Sequence, residues 1–122
     1  MFKLHQKASP ATEAIEYVIA GGALSIGTLV NYSSGKVVEN TTSPEYVTLG
    51  SAKTDEIIAV KRIYEDEIYE TTLSAAGTSL NIGDKVTVTG TQATATTASG
   101  IFEIIAMDGT EVGSKVRGLF RR

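Results

Sequence analysis

The stretch that most constrains the fold is residues 79–97, Ser-Leu-Asn-Ile-Gly-Asp-Lys-Val-Thr-Val-Thr-Gly-Thr-Gln-Ala-Thr-Ala-Thr-Thr. Leu80-Asn81-Ile82-Gly83-Asp84-Lys85 reads as a turn anchored by apolar side chains. Val86 and Val88 then alternate with Thr87 and Thr89, the two-residue period of a half-buried strand. Gly90 breaks the run, and alternation resumes over 92–97 with Ala93 and Ala95. Turn, strand, turn, strand is a β-hairpin unit. A helix fits poorly, because Val and Thr are branched at Cβ and lose rotamer freedom against the preceding helical turn.

The same unit occurs earlier in the chain. Leu24-Ser25-Ile26-Gly27 matches Leu80-Asn81-Ile82-Gly83, and Val30 matches Val86 at the same offset. Ser34-Gly35 opens residues 36–40 much as Gly90 opens 92–97. Two copies are too few for a solenoid. A pseudo-repeated hairpin inside one small barrel or sandwich accounts for them, and so does chance, since the shared residues are only Leu, Ile, Gly and Val.

Further strands are expected at 27–32, 36–40, 46–49, 56–64, 68–73, 101–107 and 111–120. Ser33-Ser34-Gly35 and Asp108-Gly109 are turn signals between them. Residues 56–64 are apolar on both faces in their first half, which marks a central strand. Before Gly21-Gly22, Ile15, Tyr17 and Ile19 alternate as a strand. A helix capped by Ser9 with Pro10 in its first turn competes for the same segment. Roughly ten short strands with regular turn signals make an all-β chain, a barrel or a two-layer sandwich.

A chain of 122 residues suits one domain. Its 42% hydrophobic and 20% charged residues are ordinary globular material, not a disordered tail. The absence of cysteine excludes a disulfide framework, a thiolate nucleophile and cysteine-ligated zinc. A net charge of −3 disfavours a nucleic-acid binder, which needs a basic face to release counterions. The charge is uneven. Asp55, Glu56, Glu65, Asp66, Glu67 and Glu70 crowd the middle, while Lys3, Lys7, Lys115, Arg117, Arg121 and Arg122 lie at the ends. The acidic run 65–70 reads as a solvated tip. The first residues lack the apolar stretch of a signal peptide, and no apolar run is long enough to span a membrane. The two N-x-[ST] sequons, at Asn31 and Asn40, are taken as accidental.

Catalytic patterns are sought and not found. The single histidine, His5, falls in an expected arm, whereas a Ser-His-Asp triad needs its imidazole held by neighbours. The carboxylates of 65–70 lack the spacing and the glycine of a calcium loop. Gly21-Gly22 and Gly113-Ser114-Lys115 lack the phosphate-loop spacing. One histidine and two methionines do not make a copper or haem site. No catalytic, cofactor-binding or metal-binding residue is therefore assigned, and no enzyme is expected.

Three segments carry a resemblance: Ala23-Leu24-Ser25-Ile26-Gly27-Thr28-Leu29-Val30, then Leu80-Asn81-Ile82-Gly83-Asp84-Lys85-Val86-Thr87-Val88, and the closing Val112-Gly113-Ser114-Lys115-Val116-Arg117-Gly118-Leu119-Phe120. With the Thr/Ala/Gly richness and the polar start, the chain resembles the head decoration (capsid cement) proteins of tailed bacteriophages. The resemblance implies an all-β, single-domain β-barrel or β-tulip-like fold over 14–122 with an extended N-terminal arm over 1–13. It implies a structural protein on the capsid exterior of the virion, made in the host cytoplasm and free of cofactors. It also implies homotrimers bound to the major capsid protein, without nucleic acid or membrane. The arm residues Phe2, Lys3, Leu4, His5, Gln6 and Lys7 would then add a strand to a capsid protein's sheet. The acidic tip departs from the simplest pattern of that family. The alternative is another virion or adhesin-type module that binds protein or glycan through loops around Tyr64 and Tyr69.

Overall fold

The computed structural model describes residues 1–7 and 15–121. These residues form ten strands and no helix: β1 (Lys3–Lys7), β2 (Ile15–Ile19), β3 (Leu29–Ser33), β4 (Lys36–Glu39), β5 (Tyr46–Thr48), β6 (Ile57–Arg62), β7 (Glu67–Thr72), β8 (Lys85–Val86), β9 (Phe102–Met107) and β10 (Lys115–Phe120). They divide into two five-stranded sheets. Sheet A has the order β1-β7-β10-β9-β8, and sheet B the order β2-β6-β5-β3-β4. Every ladder between named strands is antiparallel. The proposed helix start at Ser9 and Pro10 lies outside the described residues.

The chain changes sheet between β6 and β7, and sheet B borders both cores. Its Ile58 and Val60 join Ala20, Leu24, Val30, Val37 and Tyr46 in a cluster on one face of sheet B. That sheet curls until its outer strands meet, where Ala20 bridges Val37 and Gly21 N–H donates to the Val37 carbonyl at 2.7 Å. The opposite face of sheet B supplies Leu29 and Val47 to the larger core, which is completed by Tyr69, Leu73, Val86, Phe102, Ile104, Val116 and Phe120 of sheet A and its loops. Alternation along β3 and β5 therefore serves two interiors, with Leu29 and Val47 facing the larger core and Val30 and Tyr46 the smaller. β6 does lie between β2 and β5, but its second apolar face, Ile57 and Ala59, is not core: Ile57 is exposed.

Lys61 sits at the junction, with 1% of its side chain exposed, against Glu67 at 4%. Its ammonium donates to Glu67 Oε1 at 2.6 Å, to the Arg62 carbonyl at 2.7 Å and to the Tyr69 hydroxyl at 3.1 Å. That uses all three of its protons. Glu67 Oε1 also accepts from Tyr64 N–H at 2.9 Å and from the Tyr69 hydroxyl at 3.0 Å. The expected solvated acidic tip is thus corrected. Glu65 and Asp66 are exposed, but Glu67 and Glu70 are buried. A carboxylate goes inside only when cations and N–H groups meet it there.

The unit at 79–97 is a hairpin in its hydrogen bonds but hardly a strand pair. Thr94 N–H donates to the Thr87 carbonyl at 3.0 Å, Thr87 N–H to the Thr96 carbonyl at 2.9 Å and Thr89 N–H to the Gln92 carbonyl at 2.8 Å, yet only Lys85–Val86 forms a strand. Threonine hydroxyls compete for the backbone here. Thr89 Oγ1 accepts from Gln92 N–H at 2.9 Å, and Thr87 and Thr94 hydroxyls lie 2.7 Å apart. The paired turns at 24–27 and 80–83 do share their geometry. Leu24 and Leu80 are buried, Ile26 and Ile82 are exposed, and Gly27 and Gly83 have φ of 77° and 98°.

The two glycines differ in what lies beside them. A Cβ on Gly83 meets open space, whereas one on Gly27 would fall 2.5 Å from Met1 Cβ and 2.8 Å from the Phe2 carbonyl. Gly83→Ala is expected to cost about 1–2 kcal/mol, the penalty of a left-handed backbone with a side chain. Gly27→Ala adds displacement of the first two residues and should cost more than twice as much. Urea unfolding of the two variants checks this, and equal losses would show that the chain start is not seated on Gly27.

That seating overturns the extended arm for residues 2–7. Phe2 is buried, its N–H donates to the Gly27 carbonyl at 2.9 Å, and β1 pairs with β7 from Lys3↔Glu70 to Lys7↔Glu67. The cause is Phe2: its ring packs edge-on to Phe102 and tilted against Phe120, both at 5.5 Å between centroids. Burying an aromatic ring outweighs leaving a polar strand in water. Residues 8–13 of the expected arm lie outside the described residues.

Candidate functional site

The six residues expected to bind a partner form the border of sheet A. Cross-strand register assembles the side chains around them. Lys3 stands opposite Glu70, Glu70 opposite Arg117 and Arg117 opposite Ala106, one row across β1, β7, β10 and β9. Lys3 Nζ lies 3.3 Å from Glu70 Oε1, and Arg117 Nε donates to Glu70 Oε2 at 3.0 Å. The ladder is interrupted between Leu4 and Gln6, so His5 is the unmatched residue of a bulge. Its Nδ1 lies 3.9 Å from Glu70 Oε2, an ion pair only when the imidazole is protonated. Phe2 faces the core and Leu4 is half-buried against it, while Lys3, His5 and Gln6 are exposed. A cavity of about 250 Å³ lies beside the row, lined by Met1, Lys3, Glu70, Thr71, Thr72 and Lys115.

Burial pushes the Glu70 carboxyl up, but hydrogen bonds and charge from Lys3 and Arg117 outweigh it and hold the group below its ordinary value of 4.5. Folding therefore favours the carboxylate. The stability this contributes is fully present above the unfolded value and is lost as pH falls through the lower folded one. Glu70→Gln removes that dependence. Its melting temperature should fall less than the parent's between about pH 5 and pH 3. Parallel thermal scans measure this, and identical acid limbs would remove Glu70 from the account.

Among the described residues, no three His, Asp or Glu side chains come together in an arrangement able to hold a metal ion. Nor, among these residues, is any helix long and apolar enough to cross a membrane. Of the two tyrosines named for loop recognition, Tyr64 is exposed but Tyr69 is fully buried, bonded to Lys61 and Glu67. Tyr69 thus cannot present its ring to a partner. The two sequon asparagines hold a loop instead. Asn31 Nδ2 donates to the Ser43 carbonyl at 2.7 Å, and Asn40 Oδ1 accepts from Ser43 N–H at 2.9 Å.

Glu70 and Arg117 are 47 residues apart in sequence. No local pattern announces their pairing, which only the β7–β10 register creates. A different feature was signalled, by the alternation of Ile15, Tyr17 and Ile19: an apolar outer face on β2 and β6.

The fold places the chain among all-β proteins built of two five-stranded antiparallel sheets. Beyond that class the comparisons add no kinship: no family model matches the chain, and no curated protein matches it either.

Proposed function

We propose that this protein is a structural decoration protein of a phage head, bound to the outer surface of the shell through the major capsid protein and stabilising it. The observation that supports the reading is β1. It is a short strand bearing Lys3, His5 and Lys7, bonded to β7 on one side and last in its sheet on the other. A terminal strand presents unpaired backbone groups, to which an extended segment of another protein can add. In this form the strand stays in its own sheet, anchored by Phe2, and offers its outer border. Homotrimers on the capsid would present three such borders, and each later contact would form at high effective concentration.

Co-sedimentation with shells stripped of accessory subunits tests the reading. A Gln6→Glu variant, changed at an exposed position of β1 that stands opposite Ile68, should keep its melting temperature and lose shell occupancy at least about tenfold, the scale of one interface residue. Absence of binding by the parent protein, or full occupancy by the variant, would overturn it.

A further inference from the structure

The largest anomaly of this surface lies away from β1. On the outer face of sheet B, Tyr17 is 77% exposed, Ile57 68%, Ile15 47% and Leu49 38%. Register makes these one patch. Tyr17 stands opposite Ala59, whose carbonyl accepts from Leu49 N–H at 2.8 Å, and Ile19 stands opposite Ile57. Residues directly opposite one another in an antiparallel pair share a face. Leu49, Ala59 and Tyr17 therefore form one row, and Ile57 and Ile19 the next. Toward Val47 and Lys61 the same face passes under sheet A into the main core. Away from that edge nothing in the chain's described residues covers it. Single exposed apolar residues such as Ile26, Ile82 and Val112 sit on turns and need no partner, but a contiguous patch does.

We infer that a second copy of this chain covers the patch. Three features favour a copy over another partner. The rows hold no charged side chain, so a partner chosen by charge gains nothing there. The smallest side chain, Ala59, lies directly beside the most protruding one, Tyr17, so each copy offers both a knob and the hole that receives it. The area also suffices. From the fractional exposures, two such patches pressed together remove on the order of 1,000 Å² in total, above the ~800 Å² of an incidental contact and at the threshold of a specific one. This inference does not depend on the capsid reading, because it concerns only how copy meets copy.

Solution mass across about 1–100 μM, a range chosen to bracket ordinary specific affinities, tests it. The parent should be a dimer or trimer. Tyr17→Glu and Ile57→Glu, both on the open face, should keep the parental circular dichroism and a cooperative unfolding transition, and weaken assembly at least about thirtyfold, as loss of a central aromatic anchor does. Val112→Ser, an equally exposed apolar position on a turn, should assemble as the parent does. A parent that stays monomeric throughout, variants at Tyr17 and Ile57 that still assemble, or equal loss in Val112→Ser would overturn the inference. Shell co-sedimentation of Tyr17→Glu separates this from the capsid reading. A monomeric parent whose shell binding is abolished by Tyr17→Glu would give the face to the shell instead.

Discussion

Lys61→Met is expected to lower the free energy of unfolding by about 3–5 kcal/mol, the cost of leaving a buried carboxylate without its cation. Methionine fits the channel of the lysine stem but cannot meet Glu67 Oε1, which now lies 2.6 Å from Lys61 Nζ with both side chains almost fully buried. The loss is large against a total stability of about 5–15 kcal/mol for a domain of this kind. Neutralising the partner should restore part of it. In Lys61→Met/Glu67→Gln the amide oxygen still accepts from Tyr64 N–H and the Tyr69 hydroxyl, so neither of those donors is orphaned. The double variant should recover roughly 1–3 kcal/mol relative to the sum of the single changes, the coupling of two groups in direct contact. Urea unfolding of the four proteins gives the answer. Strict additivity would mean that the pair does not act as a unit at the junction of the sheets.

Phe2→Ala should cost about 3–5 kcal/mol, as other buried aromatic truncations do. The ring is 1% exposed and lies in contact range of Phe102 and Phe120. It is the peg that keeps β1 on β7, so hydrogen exchange should rise selectively at residues 3–7 and along the freed border of β7. Lys3→Ala makes a fair contrast: its side chain is half-exposed, and its loss removes one contact to Glu70 while Arg117 retains the other. It should cost well under 1 kcal/mol, in the range of a surface ion pair. A Phe2→Ala protein as stable as the parent, with β1 still protected, would show that the ring is not what holds the strand; a β1 unprotected in the parent itself would restore the free arm that the sequence suggested.

The strand content was legible because alternation is a local signal. Ile58 and Val60, Val86 and Val88, and Phe102 and Ile104 recur at two-residue spacing, and all are buried. The centrality of β6 was legible for the same reason. Partner faces were not. Glu67 and Glu70 look identical to Glu65 and Asp66 in a run of acids, and what separates them is Lys61 on β6, and Lys3 and Arg117 on β1 and β10. The start of the chain misled through its polarity: one phenylalanine among Lys, His and Gln carries little weight in a local average. In three dimensions it meets a pocket of rings assembled from strands about a hundred residues away, and burial of one ring exceeds the solvation preference of its neighbours.

By itself the sequence determined the all-β class and the turn positions, because period and glycine placement act over a few neighbouring residues. Only the tertiary structure decided which carboxylates are buried, that residues 2–7 close a sheet, and that Tyr17, Ile57 and Leu49 stand together on an open face. Those outcomes depend on register between strands distant in the chain, and register follows from how the two cores are filled rather than from any one segment.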